Sequence, residues 1–324
     1  MGQAEQYWVG FDLGGTKMLS VVYDSKFKPL GRARKKTKGN EGKKAGLERI
    51  ASVIRETLED ADLEPAQLSG IGIGCPGPLD LKKGVIHQAP NLGWENVPVK
   101  ATLESEFGCP AIVGNDVDVG VYGEYCFGAG RAANCVVGIF PGTGIGGGCV
   151  YQGNLIQGKN CTAMEVGHIQ IMEGGPLDGA GNQGTLEACC SRLAISSAAA
   201  AAAYRGHAPH LLKEAGTDIS DIRSGALAKS VKHDPAVRQI LESAIRNLAT
   251  GVVTMVHLMA PDKIVLGGGL VEAMPEFFVE NTASLVRQRV LPAYRDVFEV
   301  VPAELGDDAA VMGAAAWARE VIDK

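Results

Sequence analysis

Two stretches of this chain share one design. "VGFDLGGTKMLSVV" begins at Val9 and "VVGIFPGTGIGGGCVY" begins at Val136; each is an apolar run, a glycine-rich turn and a second apolar run. Such runs bounded by glycine read as strand, tight turn, strand. Laid over each other, Val137-Gly138-Ile139 matches Val9-Gly10-Phe11, and Gly142-Thr143-Gly144 falls beside Gly14-Gly15-Thr16. A hairpin opening each half of the chain points to a duplicated α/β architecture. The chain has 324 residues, 46% of them hydrophobic, which is enough for about two domains, each with a substantial core.

Between the hairpins, residues 41–60 are expected to be helical, and "SGIGIGCPG" is a short buried strand ending at Pro76-Gly77. Residues 111–114 form a further strand, and a helix begins near Asp116. "GRARKKTKGNEGKKAG" reads as a charged strand end and loop with a solvated face. The latter half is helix-rich. "TLEACCSRLAISSAAAAAAYRG" can run as one long helix on its alanines. A second long helix is stopped by Pro261, and "DKIVLGGGL" is a strand entering a triple-glycine turn. The last helix is expected to be capped by Asp307 or Asp308.

A formal net charge of −6 argues against nucleic acid or an anionic membrane as the main partner. No apolar run approaches the roughly 20 residues of a membrane span, and the start reads as neither a signal peptide nor a myristoylation site. A cytoplasmic location is expected. The eight cysteines are scattered without a C-x-x-C pair, Cys161 among them, and read as free, mostly buried thiols.

The pattern G-x-G-x-x-G occurs at Gly72/Gly74/Gly77 and at Gly142/Gly144/Gly147. A dinucleotide fingerprint must follow a strand and open a helix, whereas the first runs into prolines and the second into a strand. No Walker-type G-x-x-x-x-G-K-[ST] is present either. Glycine-rich hairpin turns can still hold phosphate, because consecutive N–H groups converge on an anion with no Cβ in the way. In "DLGGTK", Asp12 can orient a hydrated Mg²⁺, while Thr16 and Lys17 can meet phosphate oxygens; "PGTGIGG" supplies a second cradle. "GNDVDVG" puts Asn115 and Asp116 at a strand end, where α/β proteins bind ligands. Asp116 there can accept a proton from an attacking hydroxyl; Asp116 or Asp118 can equally serve only as a helix N-cap.

"DLGGTK", "GCPGPLD", "PNLGW", "GNDVD", "GTGIGGG", "EVGH" and "GGGL" occur in the order found in ROK-family sugar kinases, and the resemblance spans essentially the whole chain. The chain looks most like the glucokinases of that family. The resemblance implies an α/β, duplicated actin-like/hexokinase-like (ribonuclease H-like) fold with its active site between two lobes. One lobe would cover residues 1–120, joined by the terminal helix 308–324; the other would cover residues 121–307. It implies that Asp116 is the general base and Asn115 holds adjacent hydroxyls. Glu165, His168 and Glu187 would bind the sugar, with Gly77 and Asn91 lining the same pocket. Asp12, Gly14, Gly15, Thr16, Lys17, Gly142, Thr143 and Gly144 would surround the phosphates and Mg²⁺, the ion reached by Asp12 through water. Gly267, Gly268 and Gly269 would let the backbone approach the nucleoside.

The implied activity is ATP- and Mg²⁺-dependent phosphorylation of a hexose, with glucose at its 6-hydroxyl as the expected acceptor. Fructose, N-acetylmannosamine or N-acetylglucosamine, or a polyphosphate donor, are the alternatives; a non-catalytic sugar sensor is a further one. The family's repressors carry a winged-helix segment before the first phosphate loop, and only eight residues precede Val9, so a kinase is expected. A homodimer is the family's habit.

One loop departs from the resemblance. ROK kinases usually carry a zinc held by the histidine of "GH" and three cysteines, which would fall at positions 178, 180 and 185. Here those positions are Asp178, Ala180 and Thr185, while Gly179, Gly181, Gly184 and Glu187 keep the frame. Zinc needs four ligands, so no structural zinc is expected. Cys189 and Cys190 lie past the loop and read as packed thiols. In the family one ring nitrogen of the histidine goes to zinc, so His168 needs another group to fix its tautomer. Asp178 is the candidate; the alternative is that it faces solvent.

Overall fold

A computed structural model describes residues 5–159 and 162–324. The first hairpin pairs β1 (Tyr7–Leu13) with β2 (Lys17–Tyr23) around Gly14-Gly15-Thr16. β3 (Pro29–Lys36) extends it as an edge strand; the charged stretch supplies the end of this strand from Gly31 to Lys36, then a loop, and its last residues enter the next helix. Arginine and lysine on an edge strand keep it from pairing with another chain. α1 (Lys43–Asp60) packs against β2 and β3 with Ile50, Val53, Ile54 and Leu58 turned inward at helical spacing. β4 (Leu68–Cys75) then runs parallel to β1.

A small antiparallel sheet of β5 (Leu79–Asp80), β6 (Val85–Ala89) and β7 (Trp94–Pro98) follows, with α2 (Val99–Phe107) after it. β8 (Ala111–Asn115) returns parallel to β4 and leads directly into α3 (Asp116–Phe127).

The second half repeats the first sheet. It has β9 (Cys135–Pro141), β10 (Ile145–Tyr151) and β11 (Asn154–Leu155), then α4 (Leu186–Cys190), α5 (Arg192–Tyr204), α6 (Pro209–Ala215), α7 (Ser224–Ser230) and α8 (Pro235–Met259). β12 (Lys263–Leu266), α9 (Gly268–Ala273), α10 (Pro275–Arg289), β13 (Glu299–Pro302) and α11 (Ala309–Ile322) complete it. The two large sheets have orders β3-β2-β1-β4-β8 and β11-β10-β9-β12-β13, which is one order used twice. In each, the hairpin is antiparallel and the last two strands are parallel additions to the first.

Three cores result. One lies under the first sheet against α1 and α2, and one under the second sheet against α5, α8 and α10. The third joins the sheets: Trp8 and Val21 meet Val121 of α3, Val136, Val265, and Val311 and Ala314 of α11. A division at residue 120 therefore falls inside α3 rather than between elements.

Two helix expectations need correction. The stretch from Thr185 is broken at Ser191, whose ψ is 162° and whose hydroxyl accepts from the Ala194 N–H. Alanine favours continuing the helix, but the Arg192 N–H donates to the Gly142 carbonyl at 2.9 Å, and this tertiary bond prevails. Neither Asp307 nor Asp308 caps α11 through its side chain. Asp307 pairs with Lys17 and Arg34, and Asp308 with Arg32 at 2.7 Å. The seven cysteines among the described residues are free thiols, five of them buried; Cys161 lies outside those residues.

Candidate active site

The two hairpin turns face one cleft, and three cavities run along it. The smallest, about 190 Å³, is lined by Asp12, Asp116, Gly268, Glu272 and Asp307. A cavity of about 1090 Å³ is bordered by Thr16, Lys17, Gly142, Thr143, Arg192 and Gly269. The third, about 660 Å³, is bordered by Asn91, Thr143, Gly144, Asp178, Gly179 and Glu187. Thr143 borders both larger cavities, so the second glycine turn stands between them.

Asp116 is the first residue of α3. The cap is Asn115, whose Oδ1 accepts from the Val117 and Asp118 N–H groups at 2.9 and 3.2 Å. That leaves the Asn115 amide nitrogen for a ligand and relieves Asp116 of capping duty. Burial pushes the Asp116 carboxyl up to about 7, assisted by the charge of Asp12, against the Val117 N–H that it accepts at 2.9 Å. Burial also raises Asp12 to about 6, opposed by Lys17 and reinforced by Asp307. Asp12 and Asp116, both half-buried, thus line one small cavity at the ends of β1 and β8, with Lys17 and Arg34 near enough to Asp12 to oppose its rise. Such a pair fits a hydrated divalent cation.

Lys17 is not free to meet an anion. Its ammonium donates to both Asp307 oxygens at 2.7 and 2.8 Å, and Arg34 reaches the same carboxylate at 2.9 Å. On the other side of the cleft, the Arg192 guanidinium donates to the Thr143 hydroxyl at 2.8 Å. Arg34 and Arg192 were not singled out by sequence, and Asp307 was read only as a helix cap. Arg34 looked like one of many surface cations, and a partner 273 residues away leaves no local signal.

Gly14 and Gly15 form the first turn, with the Gly14 carbonyl accepting from the Thr37 hydroxyl at 2.6 Å. Gly144 packs against Glu187, whose carboxylate accepts from the Ile145 N–H at 2.9 Å. One expected sugar ligand is therefore already tied to the second glycine turn. Glu165 accepts from Thr162 at 2.7 Å and lies close enough for its charge to raise Asp116 and Asp118. Gly77 and Gly267 border none of these three cavities. Gly77 has φ +82° and a Cβ there would overlap the Gln88 carbonyl; Gly267 packs on the Phe140 ring. Packing accounts for both. Gly268 has φ +78° where the strand turns into α9.

The glycine-studded loop folds as a tight hairpin, with Leu177 bridged to Gln183 and Gln170 to Thr185. Its centre is the Asp178 carboxylate, the side chain of which is fully buried. Oδ1 accepts from the N–H groups of Ala180 and Asn182, both at 2.9 Å. Oδ2 accepts from the Thr185 hydroxyl at 3.2 Å and the Asn182 amide at 3.4 Å. His168 Nδ1 lies 2.9 Å from the same oxygen. Positions 178, 180 and 185 do converge with His168, but with hydrogens directed at a central anion. Zinc needs lone pairs directed at the centre, so these residues do not fit it. Among the described residues no cluster of three or more His, Cys, Asp or Glu side chains could hold a metal ion.

Residues 8–321 match the ROK family. The glucokinase of Thermotoga maritima is 31% identical over 97% of this chain and 98% of its own length. The crystal structure of a ROK family glucokinase from Streptomyces griseus in complex with glucose and AMPPNP superposes with a TM-score of 0.83 at 29% identity, covering 97% of this chain and 99% of that one. The xylose repressor of Caldicellulosiruptor bescii is 25% identical over 95% of this chain and 77% of its own length.

Proposed function

We propose that this chain, which belongs to the ROK family and is a sugar kinase, transfers the terminal phosphoryl group of ATP to the 6-hydroxyl of glucose, with Asp116 as the base. It has the two-lobed, duplicated actin-like fold. Similarity to glucokinases supports a hexose as acceptor, and the glucose- and AMPPNP-bound relative supports ATP as donor.

The observation that carries the reading is Asp116 itself. It lines the smallest of the three cavities, half-buried beside Asp12, with a carboxyl raised to about 7. A base of that strength is poised between its two states near neutral pH, where general-base catalysis works best. In this reading Asp116 accepts the proton as the sugar oxygen forms its bond to the γ-phosphorus and the bond to the β,γ-bridging oxygen breaks. Asn91 and Glu187, facing one cavity with Gly144, orient hydroxyls together with His168. Thr16, Lys17, Gly142 and Thr143 hold the phosphates, and Lys17 must leave Asp307 to do so. Asp12 would hold hydrated Mg²⁺ through water, and the ion when bound would supply charge neutralisation among the phosphate oxygens. The chain's own contribution is positioning and electrostatic stabilisation.

The test is sugar phosphate formation measured for glucose, fructose, mannose, N-acetylmannosamine and N-acetylglucosamine, each with ATP and with polyphosphate. The highest kcat/KM is expected for glucose with ATP. A different best sugar or donor replaces the substrate assignment; sugar binding without turnover by any pair would favour a sensor, the role suggested by the repressor likeness. Asp116→Asn is expected to lower kcat by roughly 10²–10⁴-fold with folding intact. Near-normal turnover would remove Asp116 from the base role.

A further inference from the structure

The loop that precedes α4 carries a charge opposite to that of the metal it would hold in relatives, and this changes what its histidine can do. An ionised carboxylate only accepts hydrogen bonds. Burial alone would raise Asp178, but hydrogen bonds from His168, Asn182 and Ala180 outweigh it and hold the carboxyl below the ordinary range. Every other group directed at it, two backbone N–H groups, a hydroxyl and an amide, is a donor. His168 Nδ1 at 2.9 Å from this anion must therefore carry the hydrogen. In a neutral imidazole the proton can occupy only one nitrogen, so Nε2 keeps its lone pair. Among the described residues no hydrogen bond engages Nε2, and 40% of the His168 side chain is exposed.

We propose that Asp178 is a positioning residue whose carboxylate, at the centre of the 175–185 hairpin, fixes His168 as the Nδ1–H tautomer, so that Nε2 accepts a hydrogen bond from a substrate hydroxyl. The geometry of the loop needs only the chain; the role of Nε2 rests on the sugar-kinase reading. The consequence is a reversal of polarity. A metal takes a lone pair from the histidine and leaves the other nitrogen with its hydrogen, as a donor. A carboxylate takes the hydrogen and leaves an acceptor. An acceptor at Nε2 demands a hydroxyl hydrogen, so replacing the contacted hydroxyl by fluorine costs as much as removing it. A donor at Nε2 would tolerate the fluorine better.

The deciding measurement is ¹⁵N NMR of the imidazoles in the full-length, ligand-free protein at a pH where His168 is neutral. The resonances of His168 are identified by their loss in His168→Gln. The expected pattern is a protonated Nδ1 and a bare Nε2. A protonated Nε2 in the unsubstituted protein overturns the proposal whatever the activity, as does one tightly held zinc per chain on metal analysis. If Nδ1 is protonated but no sugar in the panel is phosphorylated, Asp178 keeps its role and the kinase reading fails.

Asp178→Asn supplies the second arm. Its amide oxygen can keep the bonds from Ala180 and Asn182, which turns the amide NH₂ toward the ring and forces the other tautomer. The comparable swap at the aspartate of a serine-protease triad acts through the tautomer in the same way. Expected here are a reversed ¹⁵N pattern and a sugar KM raised at least about tenfold, the worth of one polar contact, with the KM for ATP unchanged. A raised sugar KM with the tautomer unchanged would mean that Asp178 only holds the loop, and would overturn the proposal.

Discussion

Asp118 lies two residues beyond the candidate base, and its carboxyl is buried with no hydrogen-bond partner for either oxygen among the described residues. Burial raises it to about 8, with the charges of Glu165 and Asp116 adding to the effect. An unpaired carboxylate in such a place is costly, so the folded chain keeps the proton instead. The unfolded chain releases that proton near pH 4. Between about pH 4 and 8 the folded state binds one proton more than the unfolded state, and stability falls as pH rises, by about 1.4 kcal/mol per unit from this group. Asp118→Asn has no such slope. Urea unfolding at pH 5 and pH 8 should show the variant gaining on the parent by a few kcal/mol at the higher pH. Parallel slopes for the two proteins would mean that Asp118 has a partner after all. The group is invisible to sequence reading for a simple reason: "DVD" at a helix start looks like capping, and only packing shows that Asn115 takes that role.

At the scale of elements, the two glycine hairpins, β4, β8 and α8 were legible because each is a run of seven or more residues with one period, or a strand ended by proline or glycine. The small β5–β6–β7 sheet was not, because its strands have two to five residues and no sustained alternation. The break at Ser191 was hidden by the helix propensity around it, since what breaks the helix is a bond to Gly142, 50 positions away in sequence. Of the candidate site, the residues on the hairpin turns and at the end of β8 were legible from local glycine and acid patterns. The Lys17–Asp307–Arg34 cluster was not, since it joins both ends of the chain.

The packing of α11 shows what the glycines of β1 and β4 do. A Cβ at Gly10 would overlap the Val311 carbonyl, and one at Gly72 would overlap the Ala314 carbonyl. The helix therefore lies directly on the strand backbones. Gly72→Ala should cost about 1–3 kcal/mol, as overpacking does where backbone and not a flexible side chain must yield. Gly225→Ala in α7, where an added Cβ meets nothing within 4 Å, should be neutral or stabilise by up to about 1 kcal/mol. Equal effects in thermal unfolding would show that α11 can shift away at little cost, and that its close seat is not what joins it to the first sheet.

For the whole molecule, the repeated sheet order matters because it places like turns opposite each other across α3 and α11. Asn91 comes from the loop beside the first sheet, and Thr143, Gly144 and Glu187 come from the second half, yet all four border the same cavity of about 660 Å³. A hexose that hydrogen-bonds to both walls gains most when the walls approach, and approach also removes water that would compete for the phosphoryl group. Each sheet keeps its own core besides the one shared around α3 and α11, so a hinge through the shared region need not disturb the other two. Small-angle scattering should therefore show a smaller radius of gyration with glucose and a non-hydrolysable ATP analogue together than with neither. Sugar should account for most of the change, because the base and Asn91 stand on one wall and Glu187 and His168 on the other. A radius that responds to nucleotide alone would assign closure to the phosphate turns and to release of Lys17 from Asp307. No contraction with either ligand would mean that water is excluded by the sugar's own fit, and the hydrolysis of ATP without sugar should then be fast relative to a kinase that closes.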